Sequence, residues 1–146
     1  MTSNTRLHEG LVMNDVIVQY HTAGQVTTAV KDVSMQIHAG EVVGLVGESG
    51  CGKSTIAKAI CGLVPVDSGE IRYNGTTIEP LGLRRRPLRL RTIRMVFQNP
   101  YASLNPRRRI RTQLEDARRI NLGTAPSVDA LLDLVDLPRD SAGLYP

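Results

Sequence analysis

Tryptophan is absent from these 146 residues, and the other aromatics are scarce, with one Phe and four Tyr. A core built from this chain is therefore aliphatic. No apolar run approaches the roughly 18 residues that a membrane-spanning helix needs, so any membrane role is peripheral. The opening stretch, MTSNTRLHEG, lacks the apolar segment of a secretory signal. Cysteine is nearly missing too. Cys51 and Cys61 have neither the spacing nor the companion ligands of a metal pair. As free thiols they suit a reducing compartment such as the cytosol.

Acidic residues are lacking in one region. Between Arg84 and Arg119 lie twelve of the eighteen basic residues, against Glu115 and Asp116 alone. The plain reading of this stretch is a solvated face with helix-surface charges. Contact with a protein or a membrane surface is an alternative. A nucleic-acid patch is another, and against it stands the lack of interleaved aromatics on which bases would stack. With 146 residues and 41% hydrophobic content, the chain is one ordinary domain or a piece of a larger one.

What is present is organised around residues 41–63, EVVGLVGESGCGKSTIAKAICGL. The β-branched run 42–46 reads as a buried strand. Then comes Gly47-Glu48-Ser49-Gly50-Cys51-Gly52-Lys53-Ser54-Thr55, and after it a helical pattern. This is G-x-x-x-x-G-K-[ST] in the strand–loop–helix setting that its mechanism requires. The glycines let the backbone turn tightly and aim several N–H groups at one point. A helix beginning near Lys53 adds the positive end of its dipole. Lys53 supplies a mobile charge for β- and γ-phosphates, and the Ser54 hydroxyl can bind Mg²⁺. The pattern predicts a site for a purine nucleoside triphosphate.

The flanks can be read in order. Residues 11–20 (LVMNDVIVQY) read as a strand, 21–25 as a hairpin turn with Gly24, and 29–37 as a second strand with Val33, Met35 and Ile37 on one face. After the loop, Ile56, Ala59, Ile60 and Leu63 share a helix face that Gly62 and Pro65 terminate. Residues 70–78 read as a hairpin about Asn74-Gly75. Residues 80–87 form a basic loop, and 92–97 (TIRMVF) read as another core strand. Residues 107–120 predict a helix with Ile110, Leu114, Ala117 and Ile120 aligned. Ser127 caps another through Val135, with Val128, Leu131, Leu132 and Val135 on one face. Asp136 superficially resembles a metal-binding Asp after an apolar strand. The spacing before it is helical and no acid directly follows it, so it is rejected as a metal site.

Taken together, three segments resemble the ATP-binding subunits of ABC transporters: AVKDVSMQIHAGEVVGLVGESGCGKST, GLVPVDSGEIRYNG and RMVFQNPYASLNPR. The last is similar to the subfamily that energises oligopeptide, dipeptide and nickel importers, with a glutathione-type importer also fitting. The resemblance implies an α/β fold. Residues 11–40 and 70–78 would form an antiparallel β part, 41–66 and 92–98 a P-loop nucleotide-binding core, and 100–146 the start of a helical subdomain. It implies ATP and Mg²⁺ as ligands. Tyr20 stands where the family places an aromatic that stacks on adenine. Gln98 matches the glutamine that contacts Mg²⁺ and the attacking water, so Lys53 and Gln98 carry the catalytic roles and Ser54 and Gln98 the metal. The implied partners are a second ATPase subunit, transmembrane permease subunits and, indirectly, an extracytoplasmic solute-binding protein. No nucleic acid is expected. The implied location is the cytoplasmic face of the cell membrane.

The same resemblance exposes what these residues do not contain. There is no Leu-Ser-Gly-Gly-Gln stretch and no apolar strand ending in Asp-Glu, and His8, His21 and His38 all precede the phosphate loop. The expectation is an incomplete ABC ATPase domain, truncated and inactive alone, poorly stable and prone to aggregate through two strand edges without a partner. The alternatives are a non-catalytic nucleotide-binding fragment and a nucleic-acid-associated P-loop ATPase.

Overall fold

The computed structural model describes residues 10–82, 86–99, 103–120 and 125–146. The expected loose N-terminus, part of the basic loop 80–87 and part of segment 100–106 lie outside them. The chain divides into two units, one ending at Met95 and the other running from Val96 to Pro146.

The first unit is built on a four-stranded sheet. Its strands are β1 (Leu11–Thr22), β2 (Gln25–Ile37), β3 (Ser68–Tyr73) and β4 (Thr76–Thr77), in the order β2-β1-β3-β4. All pairings are antiparallel. Both hairpins turn on two residues with positive φ, Ala23-Gly24 and Asn74-Gly75, the twist that matches paired strands. Helix α1 (Lys53–Ile60) packs Ile56 and Ala59 into a core with Met13, Val16, Val18, Val30 and Ile71. That core contains no aromatic ring among its buried members. Leu63 does not join it. Gly62 donates to the Ala59 carbonyl and Leu63 to that of Lys58, so a Schellman turn carries Leu63 into solvent.

A bulge in β1 sets which side chains face this core. Leu11 and Met13 are buried, and so are Val16 and Val18, although simple alternation from 11 would put 16 and 18 on the opposite face. The register shifts between Met13 and Val16, where Asp15 has φ 48°. The Ser34 hydroxyl accepts from the Asp15 N–H at 2.9 Å and donates to its carboxylate at 2.8 Å. One extra residue thus turns the row Val16, Val18, Tyr20 toward α1.

Two expected strands are corrected. Residues 42–46 and 93–97 enter no ladder among the described residues. Val42, Val46 and Val96 are 95–96% exposed rather than buried. Residues Leu88–Thr92 form a short 3-10 turn before the second of these segments. A β-branched run becomes a buried strand only where neighbours bond both of its edges, and no described residue does so here. The parallel part of the expected core is therefore not seen among the described residues. Unpaired apolar segments favour association between copies. The purified chain is expected to scatter light in a concentration-dependent way, and Val46→Lys to reduce that scattering. Equal scattering from parent and variant would refute this.

In the second unit, helices α2 (Ile110–Ile120) and α3 (Val128–Asp133) and a 3-10 turn (Arg139–Gly143) enclose Val128, Leu132 and Ala142, with Leu114 against them. Helix α2 begins later than expected and leaves Ala117 exposed; the Ile120 side chain lies outside the described set. Ser127 caps α3 through the Ala130 N–H at 3.1 Å. That helix stops before Val135, which is exposed. Asp136 adopts φ 54° and donates to the Asp133 carbonyl, while Leu137 donates to that of Leu132. Asp136 is thus a helix-stop residue. Several arginines are ion-paired: Arg108 with Asp116 at 2.7 Å, Arg111 with Asp129 at 3.5 Å, and Arg139 with Asp133 at 2.8 Å. The Arg139 hydrogen bonds hold the Asp133 carboxyl below its usual range.

Candidate functional site

The loop 47–52 is open to solvent and leads into α1 through Gly52. Gly52 has φ 96°, and a Cβ placed on it would lie 2.3 Å from the Ala29 carbonyl oxygen. Only glycine lets the loop seat this closely on β2. No side chain caps the helix and no acid occupies its first turn. The first N–H groups of α1 therefore have no intrahelical acceptor and lie at the positive end of the helix.

Lys53 folds back over the loop. Its Nζ donates to the Gly47 carbonyl at 2.8 Å and the Glu48 carbonyl at 2.6 Å, and touches Cys51 Sγ at 3.4 Å. The ammonium thus closes the loop on itself and stands beside the exposed backbone. Fixed N–H groups and a cation at one point suit a multiply charged oxyanion. Ser54 is exposed on the first turn, and Thr55 is buried.

Tyr20 comes to the same place from β1. It is 39% exposed, and its hydroxyl lies 3.4 Å from Thr55 Oγ1. The ring continues the core-facing row beyond Val18 and stands beside the first turn of α1. The strand end that carries it is tied to the segment after α1. Asp67 Oδ2 accepts from the Gln19 N–H at 2.6 Å, and the Asp67 N–H donates to the Ile17 carbonyl at 2.9 Å. Asp67 was invisible as a site residue in the sequence, where it is one acid in a Val-Asp-Ser-Gly turn.

Gln98 lies in an exposed bend of the second unit and is described with that unit alone. Among the described residues no group of three or more His, Cys, Asp or Glu side chains could hold a metal ion. A hydroxyl such as Ser54 suits a hard cation that brings its other oxygen ligands with it. The two cysteines are free, Cys51 exposed and Cys61 buried. Burial pushes the Cys61 thiol up, and the Arg86 guanidinium partly offsets this.

The sequence model described as ABC transporter matches residues 30–143. A protein of Brucella abortus (strain 2308), provisionally named a peptide import ATP-binding protein, is 39% identical over 166 aligned positions, covering 100% of this chain and 49% of its own length. The oligopeptide transport ATP-binding protein OppF of Haemophilus influenzae is 50% identical over 86 residues, 59% of this chain and 26% of that protein. The chain thus spans about half the length, or less, of these curated relatives. Among solved structures, a dimeric ATP-binding cassette in a post-hydrolysis state with ADP and Pi superposes with a TM-score of 0.71 at 26% identity. The match covers 93% of this chain and 61% of that one.

Proposed function

Because the chain belongs to the ABC transporter family, we propose that it binds ATP on residues 47–55 and serves as the ATP-binding part of an importer for peptides or related solutes. The observation that carries the reading is the loop itself, with Lys53 Nζ held 2.8 Å and 2.6 Å from the Gly47 and Glu48 carbonyls beside an uncapped helix start. The names of the relatives support the solute class.

In this reading the N–H groups of the loop and of the first α1 turn hold the β-phosphate. Lys53 neutralises charge on the β- and γ-phosphates, and Tyr20 offers a π-face to the adenine. Ser54 would hold Mg²⁺, which when bound neutralises phosphate charge. A role for Gln98 toward Mg²⁺ and the attacking water rests on the resemblance of its segment alone. The partners are a second ATPase subunit, membrane-spanning permease subunits and, through them, a solute-binding protein. The place of work is the cytoplasmic face of the membrane; no helix among the described residues is long and apolar enough to cross it.

A second reading is nucleotide binding without turnover by these residues alone. It is favoured by the lack of a Leu-Ser-Gly-Gly-Gln stretch and of a strand ending in Asp-Glu within the 146 residues. Titration of the purified chain with a fluorescent ATP analogue is expected to show saturable binding, displaced by ATP, with no phosphate release above background. Absence of binding overturns the nucleotide reading, and steady phosphate release overturns the second. In cells, uptake of a labelled tripeptide is expected to fall when the gene is deleted. Undiminished uptake overturns the solute assignment.

A further inference from the structure

We propose that Asp67 is a positioning residue that fixes the Tyr20 ring as a platform for the nucleotide base; this rests on the ATP-binding reading above. The antiparallel ladder between β1 and β3 ends at the pair Ile17–Ser68. Beyond it, β1 runs on to Thr22 with no β3 residue opposite. Asp67 takes over at that point. Its N–H closes the ladder on the Ile17 carbonyl at 2.9 Å, and its carboxylate accepts the next N–H on that edge, Gln19, at 2.6 Å. Its other oxygen lies 3.7 Å from His21 Nε2. The residues on both sides of Tyr20 thus face one carboxylate, which does the work of a missing strand.

The opposite end of Tyr20 is held as well. Its hydroxyl lies 3.4 Å from Thr55 Oγ1, and Thr55 belongs to the first turn of α1, whose N–H groups face the phosphate position. Asp67 follows α1 and precedes β3. The chain that leaves the phosphate helix therefore returns to splint the strand that presents the base platform. A platform held in place before binding loses less freedom when the ligand arrives. Tyr20 itself pairs with Thr27 of β2, Asp67 holds the other edge of the strand at Ile17 and Gln19, and the Tyr20 hydroxyl lies against Thr55, so base and phosphate subsites keep one spacing.

The test compares ATP with inorganic tripolyphosphate, which engages the phosphate loop and has no base. Asp67→Ala is expected to lower ATP affinity about threefold to tenfold relative to tripolyphosphate, the loss of one charge-assisted hydrogen bond acting through the ring. Asp67→Asn keeps an acceptor oxygen for the Gln19 N–H and is expected to restore most of the ratio. A ratio unchanged in Asp67→Ala overturns the proposal, as does an equal loss for both ligands, which marks a merely structural role. Hydrogen exchange in the parent chain tests it without any variant. The Gln19 amide is expected to be protected although β3 has ended, and a freely exchanging Gln19 amide overturns the splint. A parent that binds tripolyphosphate and ATP equally overturns the platform. A parent that binds neither overturns the nucleotide reading itself.

Discussion

Lys53→Ala is expected to lower ATP affinity about tenfold to a hundredfold. Two losses combine. The variant removes an ammonium that would sit against phosphate oxygens, and a charge-assisted hydrogen bond contributes about 1.5–3 kcal/mol net. It also removes the clasp on the Gly47 and Glu48 carbonyls, at 2.8 Å and 2.6 Å, which keeps the loop in its turn. Because the loop is open to solvent, the charge term is screened, so the gap between parent and variant should narrow as salt rises. Equilibrium titration at two ionic strengths reads both effects, with circular dichroism to show that the fold is kept. Parent-like affinity in a folded variant would remove Lys53 from the site.

Gly69→Ala is expected to destabilise the fold by about 2–4 kcal/mol. Gly69 has φ 79°, and an added Cβ would lie 2.3 Å from both the Asn14 and the Asp15 carbonyl oxygens. These are backbone atoms of the β1 bulge and cannot rotate away as a side chain would. Gly24→Ala is the matched control. Its φ of 84° is just as unfavourable for alanine, but no heavy atom lies within 4 Å of the added Cβ, so it should cost only about 1–2 kcal/mol. Urea unfolding of both variants separates steric from conformational cost. If the two midpoints coincide, the bulge does not depend on Gly69. Retention of the bulge matters for the site, because without the extra residue the row Val16, Val18, Tyr20 would turn away from α1.

Legibility followed the range of the interactions. The phosphate loop and the start of α1 are written in consecutive residues, since tight turns, a lysine reaching back and an uncapped helix start are all local geometry. The Asn74-Gly75 turn and the Ser127 cap were readable for the same reason. The run 42–46 has the composition of a buried strand, whereas a strand exists only where a neighbour bonds it, and none of the described residues does. Helix α3 is shorter than its apolar spacing, which continues to Val135, because Asp136 in the left-handed region ends it.

By itself, then, the sequence determined the G-x-x-x-x-G-K-[ST] loop at residues 47–55 and, through its resemblance, the family to which the chain belongs. It also offered Tyr20 as an aromatic near the end of a strand. The tertiary structure alone decided that Tyr20 stands beside the first turn of α1. That depends on Asp15 being an extra residue in β1, on Ser34 from β2 bonding it and on Gly69 from β3 leaving it room. Asp67 bonds the Gln19 N–H at the same strand end. Each of these partners is far along the chain, and a period-two strand pattern carries no record of where a single inserted residue reverses its faces.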